Sequence, residues 1–443
     1  MRRRYPLSRY LLGAGAARTG DEMSGPALLL TGTAITGSGP PLLAALTASA
    51  ALGGPILGTL LDRTPRPGRL LGGALAAYAA TLLLVWWSLG ALPLPAALSL
   101  ALTAGLFAPS LAAGWTSQLP RVTAPERLPR AGALDAASYE FAALAGPALA
   151  GGVALAAGPE AALLTSVALV ACALPAAWSL PGRVSSGAAG DVGSAPRPVP
   201  ERPGGGRVRS GAGGDAGSAP RPVPEPVPIP GPQEAPPPAS APVAPTGLRA
   251  DLRAGFAALL RIRPLARATL TSTLSHAGLG AFTAVTPVLG VRAFGVESAG
   301  AFLLAALACA SLVASLALAR RPDVLGPDAV LLASTLVLGA AFLAAPAVPL
   351  AASFLAGLGA GPQLVALFAI RHREAPERLR GQIFSTGASL KISGYAAGAG
   401  AAAVCPPGGA LPAAAGCQAL AVAGFLLLSR TGDRPKTAAG TCG

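Results

Sequence analysis

Charge is scarce in this chain. Only 12% of its 443 residues are Asp, Glu, Lys or Arg, about half the ~25% of soluble domains. A soluble globule of this composition would have too little polar surface. Aromatic residues are also few, at 5%, and the net charge of +14 is spread in short basic clusters between apolar runs. That is not the single basic face of a nucleic-acid binder. The only histidines are His276 and His372, and the only lysines are Lys391 and Lys436. A nucleophile–base pair or an HExxH motif therefore has little to draw on. Neither lysine follows a glycine, so a P-loop and ATP drive are unsupported. We expect no enzyme, no cofactor and no metal. The five cysteines, Cys172, Cys309, Cys405, Cys417 and Cys442, contain no CxxC spacing. Cys172 and Cys309 fall in apolar runs and read as small core residues. Cys405 and Cys417 flank a Pro/Gly segment, where either a disulfide or a Cys417 inside the last helix is open.

Apolar residues are abundant, at 52%, with a mean hydropathy of +0.57. They fall into long runs. The first is within Tyr10–Gly37, followed by Pro41–Leu61, Leu70–Leu89, Pro93–Trp115, Ala131–Ala157 and Glu160–Leu180. After a polar interruption come Leu265–Val291, Ser298–Ala319, Ala329–Ala345, Val348–Ile370, Gly381–Val404 and Leu411–Ser429. Each is near or above the ~20 residues needed to cross a bilayer. Backbone polar groups in lipid must pair internally, and β-barrel alternation is absent, so these runs predict helices. The fold class is an all-α polytopic membrane protein of two six-helix bundles. The basic start Met1-Arg2-Arg3-Arg4 lacks a following cleavage site, so the first span is expected to be retained.

Arginine placement orients the spans. One set of loops carries Arg2–Arg4 and Arg9; Arg63, Arg66 and Arg69; Arg121, Arg127 and Arg130; Arg320 and Arg321; Arg371, Arg373, Arg378 and Arg380; and Arg430, Arg434 and Lys436. The opposite set carries Arg292. Basic loops stay inside, so both termini are expected in the cytoplasm of a bacterial cell membrane. The interruption at 182–247 contains a tandem repeat, RVSSGAAGDVGSAPRPVPE from Arg183 and RVRSGAGGDAGSAPRPVPE from Arg207. Too few apolar residues offset the ordering entropy, so a disordered linker is expected, with a Pro-rich recognition segment as the functional alternative. In 248–263, Leu248, Leu252, Phe256 and Leu259/Leu260 recur at helical spacing among arginines. This predicts an amphipathic helix on anionic lipid. The division is thus 1–181 and 264–430 for the bundles, with 431–443 as a cytoplasmic tail.

Within the first run stand Arg18, Asp21 and Glu22, at i, i+3 and i+4. In one helix they share a face. A charge in the hydrocarbon core costs at least a few kcal/mol, so such residues face a wet cavity or a partner. Alternatively the first span starts near Met23 and the charges lie at the headgroups.

Six helices, a basic loop and six more resemble the plan of the major facilitator superfamily over nearly the whole chain. Gly58-Thr-Leu-Leu-Asp62-Arg63-Thr-Pro65-Arg66-Pro-Gly-Arg69 resembles its loop signature G-x-x-x-D-R-x-G-R-R, with Pro65 for a glycine and the last basic residue displaced to Arg69. The resemblance implies a conformational latch of Gly58, Asp62, Arg63, Arg66 and Arg69, joined by Asp135 at the start of the fifth span. Gly146-Pro147-Ala-Leu-Ala-Gly151-Gly152 is similar to the antiporter signature ending G-P-x-x-G-G, with one extra residue, and implies a helix that packs and bends against the other half. An arginine that antiporters often carry in the fourth span is missing here. In this superfamily spans one, four, seven and ten line the cavity. The resemblance therefore places Arg18, Asp21, Glu22, His276 and Gln363 against cargo. Glu140 and Lys391 are further buried ionisable candidates; packing or charge neutralisation is the alternative role for Glu140, His276 and Lys391. The implied function is a monomeric secondary transporter working by alternating access. Proton-coupled efflux of a small organic compound is expected, with Asp21 or Glu22 carrying the proton. Uptake by proton symport and a non-transporting sensor are the alternatives.

Overall fold

The structure is a computed structural model that describes residues 5–182, 247–295, 300–321, 325–405 and 408–430. The repeat-bearing linker and the tail lie outside the described residues. Every regular element among the described residues is helical. The first half contains α1 (Leu7–Thr36), α2 (Gly39–Arg63), α3 (Pro67–Ala91) and α4 (Leu94–Pro109). A π-helical stretch, Ser110–Gly114, carries α4 into the short α5 (Trp115–Gln118), and α6 (Leu128–Ala157) and α7 (Pro159–Trp178) complete the bundle. The second half begins with α8 (Leu248–Arg261), then α9 (Arg263–Ala284), α10 (Thr286–Phe294), α11 (Gly300–Arg320), α12 (Pro327–Ala344), α13 (Pro349–Glu374), α14 (Arg380–Val404) and α15 (Ala410–Arg430).

Among the described residues nine helices are long and apolar enough to cross a membrane, by length and composition, and α9 with α10, bent by 45°, makes a tenth if the pair is one span. Two further long helices, α1 and α14, fall short of that apolarity. Both are long, 30 and 25 residues, but polar side chains dilute them: Arg18, Asp21 and Glu22 in α1, Lys391 and several Ser and Gly in α14. α1 runs without a break until Gly37 (φ 68°) ends it in the left-handed region. The three charges therefore lie in the middle of a helix, not ahead of it.

The bundles pack through small residues, as lipid-embedded helices must when no hydrophobic drive holds them together. The two halves do this alike. In the first, Gly53 abuts the Leu106 carbonyl and Gly105 abuts the Leu46 carbonyl, joining α2 and α4. In the second, Gly357 abuts Leu307 O and Gly361 abuts Ser311 O, joining α11 and α13. One apolar core fills the first bundle around Tyr10, Leu28, Leu75 and Trp115, and another the second around Phe282, Leu338 and Phe342. A third cluster joins the halves: Ala133, Ala136 and Tyr139 of α6 meet Leu364, Phe368 and Phe384.

Two sequence expectations change here, for Cys172 with Cys309 and for α8, and the open one for Cys405 and Cys417 is decided, with Cys417 inside α15. Cys172 and Cys309 are exposed on helix surfaces instead of in a core, because the apolar runs that contain them are apolar all round. Cys405 and Cys417 are both free. The amphipathic α8 is docked on protein: Leu259 is 3% exposed and packs with Leu265, Leu379 and Ile383. Its Leu260 and Phe256 remain exposed, at 76% and 42%.

Gly105→Leu forces a side chain into the α2 backbone, an overpacking cost of roughly 1–3 kcal/mol or more. A lowered melting temperature in detergent is expected. Gly73→Leu meets open space and serves as the unchanged control.

Candidate functional site

The charges of α1 do not act as one group. Arg18 turns toward α6 and is 1% exposed. Its Nη1 donates to Asp135 Oδ1 at 2.9 Å and to Asp135 O at 3.1 Å, and also to Ser138 Oγ. Nη2 donates to Thr116 Oγ1 at 3.0 Å and to Ala112 O at 3.3 Å. The Ala112 carbonyl lies in the π-helical stretch, where the wider turn alters carbonyl positions. The guanidinium stands 3.9 Å over the Tyr139 ring. Asp135 is fully buried and accepts Tyr10 OH at 2.9 Å and Thr116 Oγ1 at 2.7 Å. This is a closed, well-bonded ion pair that pins α1, the α4–α5 region and α6 together. Two expectations are corrected by it. Arg18 is bonded to Asp135 within the bundle, and the partners of Asp135 are Arg18, Tyr10 and Thr116, not the Asp62 cluster. Asp135 lies two turns into α6, on the face against α1.

Asp21 is half-buried and accepts the Tyr78 hydroxyl at 2.9 Å from α3, while Ser24 Oγ lies 2.6 Å from that same hydroxyl. Glu22 is exposed, beside Gly146 of α6, where an added Cβ would come 2.6 Å from Glu22 Cβ. Glu22 interacts electrostatically with Glu140 of α6. Glu140 interacts in turn with Lys391 of α14, and Lys391 with Arg371 of α13. Glu140 of the first bundle and Lys391 of the second thus influence each other electrostatically. His276 has Nδ1 2.9 Å from Ser272 O and feels the charges of Lys391 and Arg371.

Other expected residues are placed differently. Gln363 is 2% exposed and donates to Ser275 Oγ at 2.9 Å and Thr335 Oγ1 at 3.0 Å. It is a satisfied core amide between α13, α9 and α12, not a cavity group. Gly146 packs on α1 of its own half, whereas Gly151 and Gly152 meet open space. With Pro147 inside α6, the motif packs within its bundle, because only Gly146 falls on a contact face. Arg371 and His372, expected in a loop, lie inside α13, which continues to Glu374. Arg371 is 1% exposed. Apolar runs end at the last apolar residue, but helices do not, and this one carries both side chains inward. His372 packs its ring 4.6 Å from that of Phe384.

The halves also meet at the end that bears the basic loops. Asp62 Oδ1 accepts the Gly381 N–H at 2.8 Å and Oδ2 accepts the Gln382 N–H at 2.7 Å. A carboxylate from one bundle thus caps the N-terminus of α14 in the other, where the helix dipole favours it. Gly58 permits the approach, since an added Cβ would lie 2.6 Å from Gln382 Cα. Ser389 Oγ donates to Ala50 O at 2.9 Å. α8 joins this contact: Arg63 Nε lies 3.3 Å from Asp251 Oδ2, and Gln382 Nε2 donates to Leu252 O at 2.9 Å. Arg66 and Arg69 are exposed nearby.

A cavity of about 460 Å³ opens near the starts of α6 and α12, lined by Leu128, Gly132, Leu318, Val330, Val365 and His372 among others. Its walls are mostly apolar and Glu140 and Lys391 do not line it, so we place the site at the charges. Among the described residues no cluster of three or more His, Cys, Asp or Glu is placed to hold a metal.

The family model for the Major Facilitator Superfamily matches residues 10–399. The chain belongs to the Major Facilitator Superfamily. It is therefore a multi-pass membrane protein of a transporter family. An uncharacterized MFS-type transporter, y4rN, of Sinorhizobium fredii is 37% identical over 118 residues, 26% of this chain. The match spans 28% of that relative's length. Among solved structures, the human organic anion transporter MFSD10 superposes with a TM-score of 0.66 at 18% identity, covering 97% of this chain and 100% of that one. A bacterial homologue of the iron transporter ferroportin in an outward-facing state gives 0.65 at 15% identity, covering 96% and 99%. At these identities the likeness concerns the superfamily fold.

Removing one partner of a buried ion pair costs about 3–5 kcal/mol. Asp135→Ala should therefore lower the melting temperature strongly, and adding Arg18→Met should recover part of the loss; no recovery would argue against the pairing. Asp62→Asn should speed labelling of a Ser385→Cys thiol by an impermeant reagent applied to the basic face. An unchanged rate would mean that Asp62 does not hold the halves together.

Proposed function

We propose that this chain is a proton-coupled secondary transporter that moves a small organic solute by alternating access. The reading is carried by the charges that the two halves bring together: Glu22 of α1 packs beside Gly146 of α6, the helix of Glu140, while Arg371 Nη2 abuts Gly387 of α14, one turn from Lys391, and Glu140 and Lys391 act on each other electrostatically. An ion left without its partner in a low-dielectric interior is costly. When cargo draws Lys391 away, Glu140 is left beside Glu22, and a proton neutralises it. When cargo leaves, Lys391 returns and the proton is released. Cargo and proton then travel together. The sequence favoured export, from the Gly-Pro motif of the fifth span. The packing of Gly146 within its own bundle weakens that motive, and Lys391 and Arg371 would repel a cation competing for Glu140. Proton symport is therefore the reading adopted. Asp21, held by Tyr78, has the lesser part.

The basic face is cytoplasmic on this reading, because arginine-rich loops resist translocation. Both termini then lie inside a bacterial cell membrane, and the protein acts as a monomer. The Asp62 cap on α14 closes the cytoplasmic side and breaks as the bundles rock.

The test uses the purified full chain in liposomes, screened with sugars, amino acids and organic acids. Uptake driven by an inside-alkaline pH gradient is expected for the cargo. Glu140→Gln should reduce gradient-driven accumulation about tenfold or more while counterflow exchange persists. Undiminished accumulation in Glu140→Gln and in Glu22→Gln would overturn the mechanism.

A further inference from the structure

The second half holds a cation that proton coupling does not use. Arg371 is 1% exposed, and its Nε and Nη2 are buried without hydrogen-bond partners. Its guanidinium carbon stands 5.9 Å from the centre of the Phe384 ring, a distant contact. Compare Arg18, whose two Nη atoms share five hydrogen bonds and a carboxylate. Two buried arginines in one protein thus differ in one respect: one has its anion and the other does not.

The surroundings of Arg371 narrow what that anion is. Nη2 abuts Gly387, whose missing side chain leaves the guanidinium against the backbone of α14. Lys391 lies four residues on, one turn away on the same face of α14. Lys391 and Arg371 interact electrostatically with each other and with His276 of α9. From α6 come Tyr139 and Glu140, and beyond Glu140 lies Glu22 of α1. Glu140 acts on Lys391, whereas the neighbour of Arg371 on α6 is the Tyr139 ring, not a carboxylate. Arginine's planar fork suits a carboxylate bidentately, and a lysine beside it adds a point charge.

We propose that the cargo is an organic anion whose acidic group is received by Lys391 and Arg371. This rests on the transport reading and names its substrate class. The acid takes Lys391 from Glu140 and supplies the counterion that Arg371 lacks. A neutral or cationic solute would leave Arg371 as it stands.

The test measures thermal stabilisation of the purified full chain by benzoate, succinate, glucose and tetraethylammonium, in parallel with their gradient-driven uptake. Stabilisation by an acid is expected, weakened about tenfold or more in Arg371→Gln and Lys391→Gln and partly kept in Arg371→Lys. Without ligand, Arg371→Gln is expected to melt at or above the wild-type temperature, since it removes an unpaired buried charge. That separates a lost site from a lost fold. Acid stabilisation unaltered by Arg371→Gln, or stabilisation by glucose or tetraethylammonium alone, would overturn the proposal. The two readings fail differently. An acid bound through Arg371 but never moved down a pH gradient would sink the carrier and keep the anion site. A sugar moved in a Glu140-dependent way would do the reverse.

Discussion

A charge carried into a lipid-crossing bundle has to meet a counterion, a set of hydrogen bonds or water. Much of this structure follows from that constraint. Arg18 meets it through both Nη atoms, which reach Asp135, Ser138, Thr116 and the Ala112 carbonyl, although its Nε has no partner. Asp21 meets it through Tyr78. These bonds fasten α1 to α3, α6 and the π-helical stretch after α4, and so make the first bundle a unit. The charges not absorbed in this way are Glu22, Glu140, Lys391 and Arg371. Bonded charges build the body, and less fully partnered ones are available for work.

The contact at the basic end has a different character. Two backbone N–H groups on one carboxylate, with an ion pair from α8 beside them, form a small polar join between two bodies packed through glycine. Polar contacts of this kind can be exchanged for water as the bodies part, whereas the Gly53–Leu106 and Gly357–Leu307 contacts cannot without unpacking a bundle. Rigid bundles joined by a breakable edge suit rocking about a central site. α8 gives the linker a physical connection to that edge, because Asp251 and Leu252 touch the residues that close it.

Much of the fold was legible in the sequence, because hydropathy runs and arginine clusters follow directly from the bilayer's demands. The loop acid Asp62 was legible too, by its motif, though its partner was not: helix N-terminal N–H groups carry no residue signature. Tyr10, Tyr78, Tyr139 and Thr116 went unnoticed because a hydroxyl in an apolar run gives no periodic signal. Arg371 was misplaced for a clearer reason. It follows Ile370, the last apolar residue of its run, where hydropathy ends the span, while α13 continues for four more residues. Gln363 and Asp135 were assigned by span alone, and a span does not say which face a residue occupies. Gly151 and Gly152 failed in the same way.

The central claim is that the two bundles move against each other about the charged centre, with Asp62 closing the basic end. Spin labels at Arg66→Cys and Arg378→Cys, on exposed positions of opposite halves, would report it directly by pulsed dipolar distance measurement in a cysteine-free background. Two distance populations are expected, with the longer one gaining weight in Asp62→Ala. A single distribution that Asp62→Ala leaves unchanged would contradict the claim.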